Sequence, residues 1–439
     1  MLALSAVVIV TSLFLGFVGA LTLTWMLYAW RTPEGLEATR FVRAGGEGRG
    51  TRRRRFSLIV PARHEDAVLA HTLDGLAALR HDDFEVLCVV GDDDPGTAAI
   101  AADAAARHPG VIRVLVDDSV PKSKPKALNR ALPECSGDVV GVFDAEDDVS
   151  PGLLEAIEAA FEQDRADVVQ GGVQLMNIGS SWWALRNCLE YFFWFRSRLH
   201  YHADRNFIPL GGNTVFVRTD LLRAVGGWDA ECLAEDCELG VRLSSLGARV
   251  SVAYEPALVT REETPGTLRS LIKQRTRWNQ GFLQVLRKGE WRGLPTRGQR
   301  WLARYTLVTP FLQALSGVLV PLSIALILLA KTPTVVTLFG FLPLMLVLAS
   351  VAIEVIALHE FGRDFSVRVR ARDYLRLVLG TVPYQCLLAA AALRAAWREM
   401  RNERGWEKTE HSGLHQTARA VPKTIDLRDD DTETAGVNA

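Results

Sequence analysis

Four apolar stretches, spanning Leu2 to Trp30, Tyr305 to Ala330, Val335 to Leu358 and Tyr374 to Trp397, constrain this 439-residue chain more than any other feature. Each is close to the ~20 residues that cross a hydrocarbon core of ~30 Å, so four membrane segments are expected around a polar domain. The first is far longer than the ~7–15 residue apolar core of a secretory leader, and nothing charged precedes it. It reads as a retained anchor over residues 1–31. The other three form a membrane region over residues 301–397, and the acidic tail over 398–439, with Asp426 and Asp429 to Asp431, is expected to be largely disordered.

Arg31, Arg40, Arg43 and the run Arg52 to Arg55 follow the first segment. Positive residues beside a span stay on the cytoplasmic side, which predicts a multi-pass plasma-membrane protein with a cytosolic domain over residues 52–290. Three spans after that domain would carry the C-terminus outside, yet Arg394, Arg398, Arg401, Arg404 and Lys408 argue for inside. Gly380 and Pro383 interrupt the last apolar stretch, so it crosses, re-enters or lies in the interface. A net charge of −1 leaves no global field to attract nucleic acid. The six cysteines lack C-x-x-C spacing, so neither a disulfide nor a structural zinc is expected.

Within the domain, Ser57 to Pro61, Glu85 to Val90, Val111 to Val116 and Val139 to Phe143 are short, β-rich apolar runs. Segments of helical spacing separate them, over about 66–80, 100–107 and from Ala127. This alternation predicts an α/β fold, a doubly wound and mostly parallel sheet covered on both faces and flanked by transmembrane helices. Ligands bind beyond the carboxyl ends of strands in such sheets, and Asp92 to Asp94 and Asp144 stand at those ends. From about 181 to 202 the chain interleaves Trp182, Trp183, Tyr191, Phe192, Phe193, Trp194 and Phe195 with Arg186, Arg196 and Arg198, which reads as an amphipathic helix under a lipid surface.

Asp144 and Glu146, one residue apart at a strand end, can direct two hard oxygen ligands at one divalent cation. Asp92-Asp93-Asp94-Pro95-Gly96-Thr97 has turn-forming composition, and Lys124 is a point charge suited to phosphate. Gln274, Arg277 and Trp278 are spaced three and four apart in QRTRW and share one helix face. An arginine there can fork onto a diphosphate, and a tryptophan can stack on a sugar.

Read in order, Asp92 to Asp94, Asp144-Ala145-Glu146-Asp147, Ala234-Glu235-Asp236 and QRTRW resemble the motifs of membrane-bound family 2 glycosyltransferases, the family of cellulose, chitin and hyaluronan synthases. The resemblance covers roughly Phe56 to Gln284 and implies a GT-A fold. It further implies that Pro61, Arg63 and Glu65 lie beside the nucleotide, that Asp92 or Asp93 contacts its base, and that Lys124 and Asp144 hold the diphosphate end. Asp144 and Glu146 would then bind Mg²⁺ or Mn²⁺. Asp236 would be the base that takes the acceptor's proton, with Glu235 in support. Gly212 and Asn213, in Pro209-Leu210-Gly211-Gly212-Asn213, would flank the acceptor, as would Gln274, Arg277 and Trp278.

Gly226-Gly227-Trp228-Asp229 and Trp406-Glu407-Lys408-Thr409-Glu410-His411 also match the family. Arg63 and His64 stand where Tyr and Asn are usual, Glu146 where Asp is usual and Ala234 where Thr is usual. The activity implied is inverting transfer of a hexose from a nucleotide-diphosphate sugar, expected to be a UDP-sugar, to a growing β-linked polysaccharide, with an export or accessory partner. Single addition to a lipid acceptor is the alternative, and a non-catalytic membrane scaffold is the third reading.

Overall fold

The structure, a computed structural model, describes residues 2–31, 53–329 and 333–403, together with 405, 407, 413 and 416. Arg40, Arg43, Arg404, most of the Trp406–His411 motif and the acidic tail lie outside the described residues. The first long helix is α1 (Leu2–Leu27). An α/β region follows: β1 (Phe56–Ala62), α2 (Leu69–Ala77), β2 (Phe84–Gly91), α3 (Pro95–Arg107), β3 (Ile112–Asp117), α4 (Lys124–Ala131), β4 (Val139–Val142), α5 (Leu153–Gln163), β5 (Val168–Gly171), β6 (Val173–Leu175), α6 (Trp182–Phe193), α7 (Leu199–Ala203), β7 (Val215–Arg218), α8 (Thr219–Ala224), α9 (Glu235–Ser245), β8 (Val250–Ala253), β9 (Thr260–Glu262) and α10 (Leu268–Lys288). Three long helices complete the described chain: α11 (Arg297–Leu329), α12 (Thr334–Asp364) and α13 (Ala371–Met400).

The strands of the main sheet run in the order β3-β2-β1-β4-β7-β5-β8. All neighbours pair in parallel except β7, which is antiparallel to both β4 and β5. The doubly wound, mostly parallel sheet expected from the strand and helix alternation is present. β1, β2 and β4 are buried on both faces because helices cover each side, as their continuous apolar runs require. One core layer gathers Leu69, Leu73 and Phe161 from α2 and α5, and the other gathers Leu128 and Phe192 from α4 and α6. Ala357, Leu358 and Phe361 of α12 join the second layer, so the foot of a long apolar helix is part of the domain core.

By length and composition four helices are apolar enough to cross a membrane, corresponding to α1, α11, α12 and α13. α13 is unbroken through Gly380 and Pro383, so the expected interruption does not occur. Pro383 falls on the exposed side, where the missing hydrogen bond disturbs no packing. Gly380 leaves room for Arg186, whose Cδ would stand 3.6 Å from an added Cβ. One stripe of α13, including Leu377, Tyr384, Ala391 and Ala395, is buried. The opposite stripe exposes Leu375, Leu379, Val382, Leu393 and Trp397.

The aromatic segment over 181–202 corrects its expected setting. Between 181 and 203 no residue is exposed, and α6 is enclosed between the sheet and α12 and α13. Two of its three arginines, Arg186 and Arg196, point at carboxylates on α12. Arg186 forms a two-pronged pair with Glu354, at 2.9 and 2.8 Å, and Arg196 pairs with Glu360 at 3.1 Å and Asp364 at 2.9 Å. Sequence periodicity reports an apolar stripe but not which neighbour covers it. Here α13 takes the outer position.

Candidate active site

The parallel strands deliver their C-terminal ends to one edge of the sheet, and a cavity of about 530 Å³ opens there. Pro61 and Arg63 after β1, Asp117 at the end of β3 and Asp144 and Glu146 after β4 line it. The loop of Gly211, Gly212 and Asn213, the Glu235 and Asp236 pair that begins α9, and Gln274, Arg277 and Trp278 of α10 close it. Candidate residues from three of the four motifs therefore meet in one space, although they are spread over more than one hundred positions.

Lys124, at the start of α4, sits at the centre of this arrangement. Its Nζ donates to a carboxylate oxygen of Asp144 and, at 2.8 Å, to the carbonyl of Gly212. Burial opposes its charge, but Asp144, Glu235 and Asp236 outweigh burial and hold its pKa above the ordinary lysine value. Gly212 is required for this approach: an added Cβ would stand 3.1 Å from Asp236 Oδ2 and 3.5 Å from Lys124 Nζ.

Two adjacent carboxylates share the first turn of α9. Burial, then the charge of Asp236, pushes Glu235 up to about 7, against the pull of Lys124 and Arg277. Asp236 is also raised by burial, opposed by the backbone N–H of Cys237, which donates to its Oδ1 at 2.7 Å, and by Lys124 and Arg277. A carboxylate displaced toward neutrality is suited to accept a proton at working pH. α10 is pressed against the loop before this pair. A Cβ on Gly281 would lie 2.4 Å from Ala234 Cβ, and Gln284 Oε1 accepts the N–H of Leu233 at 2.9 Å. The QRTRW helix thus sets the position of the Ala234-Glu235-Asp236 loop.

A second group of carboxylates surrounds the strand-end pair. Asp147 is raised well above the ordinary value by burial and by Glu262, Asp144 and Glu146, and burial together with Glu146 and Asp144 raises Glu262 to about 8. Asn213 Nδ2 donates to Asp147 Oδ1 at 3.1 Å and also to Glu262, so its side chain ties these acids together. Asn213 lines the cavity with its amide engaged by these two acids, one of which, Glu262, lines it too. Among the described residues no three His, Cys, Asp or Glu side chains are arranged to hold a metal ion by themselves. Crowded acids beside one lysine suit a hard cation that takes one or two carboxylates and completes its shell from phosphates and water. Asp144 and Glu146 fit that role.

Asp92 and Asp93 lie at the rim, outside the cavity lining, with Lys122 Nζ 2.6 Å from Asp92 Oδ1 and Arg63 Nη2 2.6 Å from Asp93 Oδ2. Asp94 caps α3, accepting the N–H of Thr97 at 3.2 Å, and also accepts the N–H of His64 at 2.5 Å. Arg63 and His64, which depart from the family pattern, are therefore partners of the aspartate run. Glu65 is buried, with its backbone N–H on Thr97 Oγ1 at 3.1 Å.

Several lining residues had no signal in the sequence. Asp117, Glu190 and Glu262 sit in no spaced motif, and only the fold brings them to the cavity. Arg275, inside QRTRW, pairs with Glu190 and lies 4.8 Å over the Trp278 ring, so it orients that tryptophan. The cavity continues past the acids to Thr22 and Trp25 of α1, Thr309 and Gln313 of α11, and Tyr384 and Gln385 of α13.

The profile described as "Glycosyltransferase like family 2" matches residues 53–281. Among curated proteins, a beta-monoglucosyldiacylglycerol synthase of Trichormus variabilis is 28% identical over 232 residues, covering 52% of this chain and 49% of that protein. A poly-beta-1,6-N-acetyl-D-glucosamine synthase of Staphylococcus epidermidis is 25% identical over 263 residues, covering 57% of this chain and 60% of that protein. The chain thus spans about half to three-fifths of the length of these relatives. Among solved structures, a mannosyltransferase from Pyrobaculum calidifontis in complex with GDP-Man and Mn²⁺ superposes with a TM-score of 0.56 at 18% identity, over 90% of this chain and 99% of that one. At that identity the likeness speaks for the fold.

Proposed function

The chain belongs to the family 2-like glycosyltransferases, and from that premise we propose that it transfers one hexose from a nucleotide-diphosphate sugar to an acceptor lipid presented by the membrane. The observation that carries this reading is the continuity of the cavity, which runs from the acids and Lys124 at the sheet edge to side chains of α1, α11 and α13. A water-soluble donor reaches one end and a membrane-borne acceptor the other. The nucleotide lies over Pro61, Arg63 and Glu65, with its base near the Asp92 and Asp93 rim and its diphosphate toward Lys124 and Arg277.

Asp144 and Glu146 hold Mg²⁺ or Mn²⁺, which when bound neutralises charge on the diphosphate. Asp236 accepts the proton of the acceptor hydroxyl while that oxygen forms a bond to the anomeric carbon and the bond from that carbon to the diphosphate breaks, inverting the centre. Lys124 and Arg277 retain the negative charge that leaves. Gln274 brings an unpartnered Oε1 and Trp278 a ring face to the acceptor side. The beta-monoglucosyldiacylglycerol synthase likeness favours a lipid acceptor. The poly-beta-1,6-N-acetyl-D-glucosamine synthase likeness favours the second reading, repeated addition to a polysaccharide.

The same reading sets α13 in the cytosolic interface. Its backbone and side chains contact α6 and α10 at both ends, through Arg186 Nη1 on Leu377 O at 3.2 Å and Gln280 Nε2 on Glu399 Oε2 at 3.3 Å. A helix anchored to one domain along its whole length, with one apolar stripe exposed, lies on a membrane surface. Glu407, which pairs with Arg394 at 2.7 Å, and Gln416, whose Nε2 donates to Glu146 O at 3.1 Å, then lie on the catalytic side. The domain, with Glu407 and Gln416, is then placed on the cytosolic side by the arginines that follow α1.

The test is release of nucleoside diphosphate by purified protein across UDP- and GDP-sugars with Mg²⁺ or Mn²⁺, with the products separated by chloroform extraction. One sugar on an extractable lipid, absent in Asp236→Asn, supports the reading. A ladder of polymer replaces it with the second one, and unchanged activity in Asp236→Asn removes Asp236 as base.

A further inference from the structure

The membrane end of the cavity contains a cation that the transfer chemistry does not use. Arg198 closes the π-helical turn after α6, and its guanidinium carbon lies 3.9 Å over the ring of Trp25 and 4.9 Å over that of Trp194. Among the described residues no carboxylate pairs with it and its Nε has no hydrogen-bond partner. Two more polar atoms beside it are also without partners, Nε1 of Trp25 and the hydroxyl of Tyr305. Trp25 is 4% exposed and Tyr305 7%, and their rings stand 5.4 Å apart. One buried arginine on this segment, Arg196, is paired twice with acids, which makes the isolation of Arg198 specific to its position.

An unpaired guanidinium withdrawn from water is costly, and aromatic faces offset only part of that cost. Two of these groups belong to side chains that line the cavity, Arg198 and Trp25, and the third, on Tyr305, packs against Trp25 outside the lining. The partner they lack is an anion, and a forked guanidinium suits a phosphate. Lys124 and Arg277 already face the donor end. Arg198 shares the cavity lining with Thr22, Trp25 and Met26 of α1 and Thr309 of α11, and α11 continues past Gln313 into exposed Leu315, Val318 and Leu322, a track for an acyl chain. Cys237, adjoining Asp236, lines the same space and lies in the field of Arg198.

We propose that Arg198 and Trp25 bind the phosphate of a membrane lipid, placing a free hydroxyl of its headgroup at Asp236, so that the acceptor class is a hydroxyl-bearing glycerophospholipid. The inference rests on the lipid-acceptor reading above and deepens it. Transfer is then the same displacement, with the phosphate an anchor that neither gains nor loses a bond.

The test is binding by the full chain in dodecylmaltoside micelles and phosphate-free buffer. The probes are dioleoylphosphatidylglycerol, dioleoylglycerol and UDP, with donor turnover measured in parallel. Phosphatidylglycerol is expected to bind at least about tenfold more tightly than dioleoylglycerol, as charge-assisted hydrogen bonds require. Trp25→Phe, which keeps an aromatic face but removes the pyrrole half of the indole with its N–H, is expected to weaken phosphatidylglycerol about fivefold. Arg198→Gln is expected to abolish the preference and Arg198→Lys to retain part of it, with UDP affinity unchanged in all three. Equal binding of the two lipids by the wild type overturns the proposal. So does a parallel loss of UDP affinity in Arg198→Gln, which would assign the guanidinium to the donor's phosphates. If Arg198→Gln does not fold, Trp25→Phe still decides, since an unchanged preference there removes the indole from the site. Absence of the lipid preference with donor turnover intact defeats this inference alone, whereas absence of donor turnover defeats the transferase reading beneath it.

Discussion

Replacing Glu235 by glutamine removes one of two buried, adjacent carboxylates while keeping its size. Glu235 is displaced from 4.5 to about 7, and burial leads the causes with Asp236 second. That displacement corresponds to about 3 kcal/mol of differential interaction. Part of it is the charge of Asp236, so removing the Glu235 charge is expected to lower the pKa of Asp236 in turn. A base works deprotonated, and a lower pKa therefore moves the acid limb of kcat/KM to lower pH. The assay is nucleoside diphosphate release from pH 5 to 9 in wild type and Glu235→Gln.

Stability supplies an independent readout with its own sign. Because the folded pKa lies above the unfolded one, the folded state binds the proton more tightly, and ionisation at Glu235 costs stability as pH rises from 4.5 to about 7. The cost is absent below that window and complete above it. Glu235→Gln should therefore gain up to about 3 kcal/mol over wild type at pH 8 and little at pH 5, read as a difference in unfolding midpoints. An acid limb that stays in place or moves to higher pH would refute the coupling. A stability gain equal at both pH values would show that charge is not its cause.

Three further outcomes follow from single contacts. Gly212→Ala brings a Cβ to 3.1 Å from Asp236 Oδ2, and is expected to lower kcat about tenfold with little change in melting temperature, as a small displacement at the reacting centre does. Arg186→Met leaves the half-buried Glu354 without its two-pronged partner and is expected to cost about 2–3 kcal/mol, with most of the loss recovered in Arg186→Met/Glu354→Leu. Denaturation of single and double variants in detergent measures both. Asp144→Asn with Glu146→Gln is expected to abolish Mn²⁺-dependent turnover and the stabilisation that Mn²⁺ gives the wild type in thermal unfolding. Retention of that stabilisation would place the cation elsewhere.

Local chemistry determined much of this protein in advance. Continuous apolar runs such as Phe56–Ala62 and Phe84–Gly91 can only be strands buried on both faces. Their alternation with helices sets the class of sheet, and carboxylates one or two residues past a strand end must reach its ligand edge. Helical spacing likewise put Gln274, Arg277 and Trp278 on one side of α10. Those features depend on near neighbours and are written in the chain.

Which surface each amphipathic helix covers is a different matter, because an apolar stripe is satisfied equally by lipid, by a sheet or by another helix. α6 looked interfacial from its aromatic and arginine content, but Glu354, Glu360 and Asp364 took two of its arginines, and α13 covered it. The amide of Asn213 is held by Asp147 and Glu262, both remote in sequence. Glu262, Arg275 and the unpartnered Arg198 acquired their surroundings only when α1, α10 and α11 closed on the sheet edge. Burial and pairing are properties of distant segments meeting, so the tertiary structure alone decided them.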